Sequence, residues 1–374
     1  MPFTCIHTAD WQLGLKLTYI PGDAGAQARL LRYQAVRAIA DTARTHNVDA
    51  VLVSGDTLDS NAASPETLQR AREVLSIFAP IPVLIIPGNH DHGGPACALG
   101  RLADGLNHVC ILDKREPIRI ASATIYPCPL LRRHEVDDPT AWLPSAENNI
   151  DISIVMAHGG VIDFAALSPG NTADDLETPN LIDAHAIVAK GYDYVALGDW
   201  HGTLNFGARI WYSGTPEATR FKEKQPGGVL LVKIFARGSA PVVERIQIAA
   251  TTWQRWNETL ADDAAIAGLE ARFTEITQPT TTCIELSLSG TLTLSGRNRL
   301  DALLQTWSQR CMLLRFDAKA VVAQPSEDDL AALAEAGLLS SSVARLQQDP
   351  SSEARDALLL LHRLLLVDVP NATH

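Results

Sequence analysis

The sequence predicts a layered α/β fold: two mixed β-sheets flanked by helices, then a smaller α+β domain and C-terminal helices. Three observations predict it. Short apolar runs alternate with segments of helical periodicity near the N-terminus. Apolar runs then outnumber helical segments, which suits two mixed sheets better than one doubly wound sheet. Beyond 236–240 the polar motifs stop while both patterns continue.

The elements follow in order. Residues 4–8 read as a short strand. In 27–44, Leu30, Leu31, Ala35, Ile39 and Ala43 recur near helical spacing. Residues 50–53 form an apolar run ending at Ser54-Gly55, 65–78 a helix and 83–86 another apolar run. Continuous apolar runs suit strands covered on both faces. Further strands are predicted at 118–126, 152–157, 194–197, 209–212 and 228–235. The Gly- and Ser-containing stretch 236–240 places a domain boundary at 238. Residues 239–320 are then a small α+β capping domain, with strands at 282–289 and 311–316 and a helix over 297–309.

Residues 321–374 read as helical. Ser326-Glu327-Asp328-Asp329 is a capping-box start before Leu330, Leu333 and Leu338. The helix predicted over 353–367 carries Leu358, Leu359, Leu360, Leu361, Leu364, Leu365 and Leu366. Such a helix is apolar on more than one face and is either core or a surface that needs a partner.

Composition bounds the function. Hydrophobic residues make up 46% and charged residues 20%, as in ordinary globular chains, which argues against disorder. No run of about 18 apolar residues predicts a membrane span. Residues 1–10 lack the pattern of a secretory leader, so a cytoplasmic protein is expected. The six cysteines form no C-x-x-C pair, which speaks against a zinc ribbon and for free thiols in a reducing compartment. The net charge of −12 opposes a nucleic-acid partner in bulk, yet it does not fix the local field, and bound cations would reverse it locally.

Five short motifs follow strand candidates directly: His7-Thr8-Ala9-Asp10-Trp11-Gln12, Gly55-Asp56-Thr57-Leu58-Asp59, Gly88-Asn89-His90-Asp91, Ala157-His158-Gly159 and Gly198-Asp199-Trp200-His201. Each places Asp, Asn or His at the carboxyl end of a buried strand, where open α/β sheets bind ligands. Carboxylates, a carboxamide and imidazoles together form a mixed oxygen and nitrogen donor set suited to Mn, Fe, Zn or Mg. There are enough donors for two ions sharing one carboxylate, the arrangement that serves phosphate-ester hydrolysis.

The set resembles the calcineurin-like metallophosphoesterase superfamily. The His7 to Trp11 opening and Ser54 to Asp59 look like the SbcD-type DNA repair exonucleases, the nuclease subunits of SbcCD-like complexes. So does Tyr212-Ser213-Gly214-Thr215-Pro216-Glu217 followed by Arg220-Phe221-Lys222-Glu223. The resemblance covers about 4–235 and implies a four-layer metallophosphoesterase sandwich over 1–238. It implies that Asp10 and His201 bind a first ion, Asp56 bridges, and Asn89 and His158 bind a second. His90 would protonate the leaving oxygen or stabilise the phosphate, with Asp59 and Asp91 orienting ligands from behind. The nucleophile would be water, with no side-chain nucleophile.

Two positions depart from the family pattern. Gln12 stands where a His is usual, and Asp199 where Gly-His-x-His is usual. Both add oxygen donors to the metal set, which favours Mn²⁺, with Mg²⁺ the next choice, over Zn²⁺. The resemblance further implies a DNA nuclease in repair or defence, an ATPase partner of the structural-maintenance-of-chromosomes (SMC) kind docking on the C-terminal helices, and a homodimer. Arg132, Arg133, Arg220 and Lys222 are candidate DNA contacts, as are Arg209, Lys224, Trp200 and Trp211. Two other readings stay open: a small-molecule phosphodiesterase or phosphatase, suggested by the acidic charge, and a catalytically weakened subunit that binds DNA ends, suggested by Gln12 and Asp199.

Overall fold

A computed structural model describes residues 1–162, 180–329 and 340–367. By contact density the chain divides into two compact units, Met1–Thr251 and Thr252–His374.

The first unit opens with β1 (Phe3–Thr8), α1 (Gly22–Thr45), β2 (Ala50–Ser54), α2 (Pro65–Ser76), β3 (Val83–Ile86), α3 (Leu99–Ala103) and β4 (Val109–Ile111). It crosses to β5 (Ile118–Ile120), β6 (Ala123–Cys128), β7 (Ile152–His158), β8 (Gly160–Val161), β9 (Leu181–Ile182), α4 (Ala184–Ala189), β10 (Tyr194–Gly198), β11 (Leu204–Phe206) and β12 (Ile210–Tyr212). It then returns with β13 (Gly228–Ile234) and β14 (Val242–Gln247).

Two six-stranded sheets result, ordered β14-β13-β1-β2-β3-β4 and β11-β12-β10-β7-β6-β5. In the first, β1 to β4 run parallel and β13 and β14 add antiparallel. In the second, β12, β10, β7 and β6 run parallel between antiparallel edges.

Strand alternation builds the layers. Cys5, Leu52, Leu84 and Ile86 point between the sheets, where they meet Ile125, Ile154, Met156 and Tyr194. Ile6, Val51, Val53 and Ile85 point outward, against Val36 and Ile39 of α1 and Val74 and Leu75 of α2. Val155, Val195 and Leu197 pack outward from the second sheet, with Ile187 of α4. The expected arrangement of two mixed sheets with flanking helices is thus observed.

Some elements differ from expectation. Residues 118–126 form two antiparallel strands rather than one, because the chain turns at Ala121, whose φ is 51°. The first unit runs past 238 because β14 pairs with β13 along its whole length.

The second unit contains β15 (Thr252–Leu260), α5 (Ala265–Thr274), β16 (Thr282–Leu292), α6 (Leu294–Arg310), β17 (Leu313–Ala323), α7 (Ser340–Gln348) and α8 (Ser352–Val367). Its strands form a parallel sheet. In its core Phe273 stacks on Trp307 and meets Trp256 at a tilt of 53°. The expected capping box is present: Asp329 N–H donates to Ser326 Oγ at 3.0 Å and Ser326 N–H donates to Asp329 at 2.9 Å. Leu330, Leu333 and Leu338 lie outside the described residues. On α8, Leu358 is buried with Leu294 and Val343, whereas Leu360 is 58% exposed. The side chains of Leu364, Leu365 and Leu366 lie outside the described residues. Among the described residues, no helix is long and apolar enough to cross a membrane.

Candidate metal centre

The parallel neighbours β1, β2 and β3 end on one side of the cleft, and the parallel neighbours β7 and β10 end on the other. Each strand stops where the backbone turns sharply. Asp10, Gln12, Asp56 and Asp199 all take positive φ, at 55°, 43°, 53° and 102°. This conformation is uncommon for residues other than glycine and concentrates at functional sites. Backbone bonds couple the first two loops: Asp10 N–H donates to Gly55 O and Gln12 N–H to Asp56 O. Gly55 has no room for a side chain, since a Cβ there would lie 2.2 Å from His158 Nδ1.

Donor atoms converge between the loops. Ligand atoms of Asp10, Asp56 and His158 lie within 4.8 Å of one another, and all three residues are buried. His158 Nε2 is 3.6 Å from Asp56 Oδ1 and 3.7 Å from Asp199 Oδ1. Its Nδ1 bonds Ser54 O at 2.8 Å. A carbonyl only accepts, so Nδ1 carries a hydrogen, and in the neutral ring the Nε2 lone pair faces the carboxylates. Asn89 Oδ1 lies 2.9 Å from His158 Nε2. The same amide position is 3.0 and 3.2 Å from the two Asp56 oxygens. On the other flank, Gln12 Nε2 is 3.4 Å from His201 Nε2, and the backbone N–H of Asp199 spans both Asp10 oxygens at 3.2 Å.

These residues fit a divalent cation. An amide oxygen, carboxylate oxygens and, in the neutral ring, an imidazole lone pair crowd together, and the donors that reach the carboxylates are the backbone N–H groups of His90 and Asp199, with the Asn89 amide if it turns its nitrogen inward. Asp199 Oδ2 is buried without a hydrogen-bond partner. A cation is what such an oxygen-rich pocket accommodates.

The titrations carry the same imprint. Burial opposes charge on His158, yet Asp56, Asp10 and Asp199 push it up to about 9. Burial likewise opposes charge on His201, and Glu223 pushes it up to about 9. Burial pushes Asp199 up to about 7, against the pull of His158. Burial also raises Asp10, with His201 and His158 opposing.

His90 stands at the mouth. Its Nδ1 bonds Asp59 O at 2.8 Å, which leaves Nε2 facing the cleft, 3.9 Å from Asp56 Oδ2. Its backbone N–H donates to Asp56 Oδ1 at 2.9 Å. Asp91 is fully buried and receives the N–H groups of Gly88 and Leu58 at 2.8 and 2.9 Å, pinning the β3 loop to the β2 loop. Burial and the Asp56 charge push its carboxyl up to about 7.

Of the expected cationic contacts, Arg133 shares a depression with His90 and Asp59, while Arg220 and Lys222 share one with Asp199 and His201. Arg132 is exposed and lines neither. Trp200 is 8% exposed and packs in the outer core of the second sheet, and Trp211 packs against the core between the sheets. His7 is buried between Tyr194 Oη and Leu197 O and does not join the donor cluster.

Two residues were given no role from the sequence. Arg32 is 2% exposed and donates to the carbonyls of Asp10, Trp11 and Glu217, which holds the β1 loop in its turned form. Its signal was a charge in the otherwise apolar stripe Ala28, Arg32, Val36, Ile39. Glu223 bonds His201 Nδ1 at 2.7 Å. It had no local signal beyond its place after Arg220-Phe221-Lys222.

The sequence pattern of the calcineurin-like phosphoesterase family matches residues 3–203, the span that supplies every one of these strand tips. The chain is a calcineurin-like phosphoesterase. Among the relatives of this phosphoesterase is the SbcD subunit of the SbcCD nuclease of Escherichia coli strain K12, 21% identical over 94% of this chain and 95% of that protein. The SbcD nuclease subunit of Staphylococcus epidermidis is 24% identical over 58% of this chain and 62% of that protein. The DNA double-strand break repair protein Mre11 of Archaeoglobus fulgidus is 32% identical over 30% of this chain and 25% of that protein. The resemblance read from the motifs is therefore borne out: the chain is a metal-dependent phosphoesterase of the calcineurin-like family, similar to SbcD-type nuclease subunits.

Proposed function

We propose that this phosphoesterase is a Mn²⁺-dependent DNA nuclease that cleaves phosphodiester bonds with two divalent ions, in DNA repair or defence, together with an SMC-like ATPase. The observation that carries the proposal is the approach of Asp10, Asp56 and His158 to within 4.8 Å of one another, with Asn89 at 2.9 Å and Asp199 at 3.7 Å from His158 Nε2. Two of the relatives are named as nuclease subunits and one as a double-strand break repair protein, which supports DNA as substrate and a complex as the working form.

In this reading Asp10, Gln12 and His201 would hold the first ion, Asn89, His158 and Asp199 would hold the second, and Asp56 would be available to both. The added oxygen donors of Gln12 and Asp199 favour Mn²⁺ over Zn²⁺. Bound ions would supply Lewis acidity toward water and charge compensation for the phosphate. The protein does the remaining work. Asp59 O fixes the His90 ring, and His90 Nε2 delivers a proton to the leaving oxygen. Asp91 holds the two loops in register. Arg133, Arg220 and Lys222 receive backbone phosphates, with Arg132 as an outer contact. The α7–α8 pair docks the ATPase, using apolar side chains such as Leu360.

The test is cleavage of end-labelled DNA by purified protein with Mn²⁺. Asp56→Ala is expected to abolish both metal uptake and cutting. His90→Ala is expected to lower kcat by about 10²–10⁴ while Mn²⁺ uptake persists. Rapid turnover of a nucleotide with inert DNA would replace this reading by a small-molecule phosphodiesterase. No Mn²⁺ uptake at millimolar concentration would leave a DNA-end-binding subunit.

A further inference from the structure

We infer that Glu223 is a positioning residue that selects the ring tautomer of His201, and so decides which nitrogen His201 offers to a cation. The inference rests on the two-ion reading above and adds to it a residue outside the five motifs.

The geometry is specific. Glu223 side-chain exposure is 4%, and its oxygens are taken up by three donors. Oε1 bonds His201 Nδ1 at 2.7 Å and accepts from Thr219 Oγ1, while Oε2 accepts the Thr219 N–H at 2.8 Å. An ionised carboxylate can only accept, so His201 Nδ1 carries a hydrogen, and in the neutral ring Nε2 carries the lone pair. His158 achieves the same orientation with a backbone carbonyl, Ser54 O, which no side-chain substitution can change. His201 depends on a side chain, and its tautomer is therefore open to mutation.

Gln at 223 is nearly isosteric but carries one donor end. If the NH₂ replaces Oε2, it opposes the Thr219 N–H. If it replaces Oε1, it donates to His201 Nδ1, moves the ring hydrogen to Nε2 and blocks that nitrogen toward a cation. Carboxylate partners of metal-binding histidines act in this way. Removing the charge beside Arg220 and Lys222 does not weaken attraction for phosphate.

Three readouts on the full chain test this. Two-bond ¹H–¹⁵N spectra of the histidine rings, taken metal-free and followed upward in pH until the His201 shifts no longer change, are expected to show the neutral ring protonated at Nδ1 in the wild type and at Nε2 in Glu223→Gln. Calorimetric titration with Mn²⁺ is expected to show one of two ions weakened about 10–100-fold in Glu223→Gln and the other unchanged. With DNA, kcat should fall while KM does not rise. Glu223→Asp, which can only accept, should retain the Nδ1–H form. An unchanged His201 tautomer in Glu223→Gln overturns the inference, as does equal loss of both ions with a lowered Tm. A wild type that shows the expected tautomer yet takes up no Mn²⁺ overturns the two-ion reading and leaves the tautomer assignment standing.

Discussion

At the residue scale, the site is a set of acids and imidazoles whose proton and metal affinities oppose each other. His158 and His201 are pushed up to about 9, mainly by facing carboxylates that overcome the cost of burial, and burial pushes Asp199 up to about 7. A cation needs the imidazoles neutral and the carboxylates ionised, so metal uptake must release protons. The sign follows: apparent affinity for Mn²⁺ should weaken as pH falls below about 9, by up to about tenfold per unit for each ring that must lose a proton. Calorimetry in two buffers of different ionisation enthalpy measures that release directly. Proton release of zero between pH 6 and 8, at a measurable affinity, would contradict the arrangement. The members of the candidate donor cluster were legible in the sequence, because Asp, Asn and His directly after apolar strands are informative together. Arg32 and Glu223 were not, because their partners lie 21 and 22 residues away and are brought close only by the fold.

At the element scale, the strand tips rather than the strands carry the chemistry. Gly55 illustrates this: its φ is 92°, and a Cβ there would overlap the His158 ring. Gly55→Ala is expected to cost more than about 1 kcal/mol of stability and to reduce Mn²⁺ uptake, because relief of the overlap displaces His158. Thermal unfolding and calorimetry on the same sample check both effects; a normal Tm with normal uptake would show that the loop yields freely. Elements of strong periodicity were read correctly, among them α1 and the apolar strands β2 and β3. The first strand of the second unit was missed for a physical reason. In β15 the apolar residues Trp253, Trp256 and Leu260 stand at helical spacing, and pairing with β16 imposes the strand. In α5 the spacing Ile266, Leu269, Phe273 is helical, but Gly268 weakens it.

At the scale of the whole molecule, the first unit holds all five motifs and, among the described residues, three apolar clusters. A chain ending at Thr251 should therefore fold cooperatively and retain Mn²⁺ binding, as measured by circular dichroism and calorimetry. An unfolded product would show that the second unit is needed for stability. The net charge of −12 makes local cations decisive for any DNA contact. If Arg220 and Lys222 each meet a phosphate of duplex DNA, the double change Arg220→Ala with Lys222→Ala should reduce the slope of log affinity against log salt by about 2. A slope that does not move would place the phosphates elsewhere.

The sequence by itself determined the layered α/β class, the five motif tips and the family, because these depend on local periodicity and on residue types at fixed short spacing. Only the tertiary structure decided the extension of the first unit to Thr251, the hydrogen-bond partners of His158 and His201, and the contacts of Arg32 and Glu223. Those features depend on pairings between residues far apart in the chain, and no local pattern encodes which side chain a distant strand tip will meet.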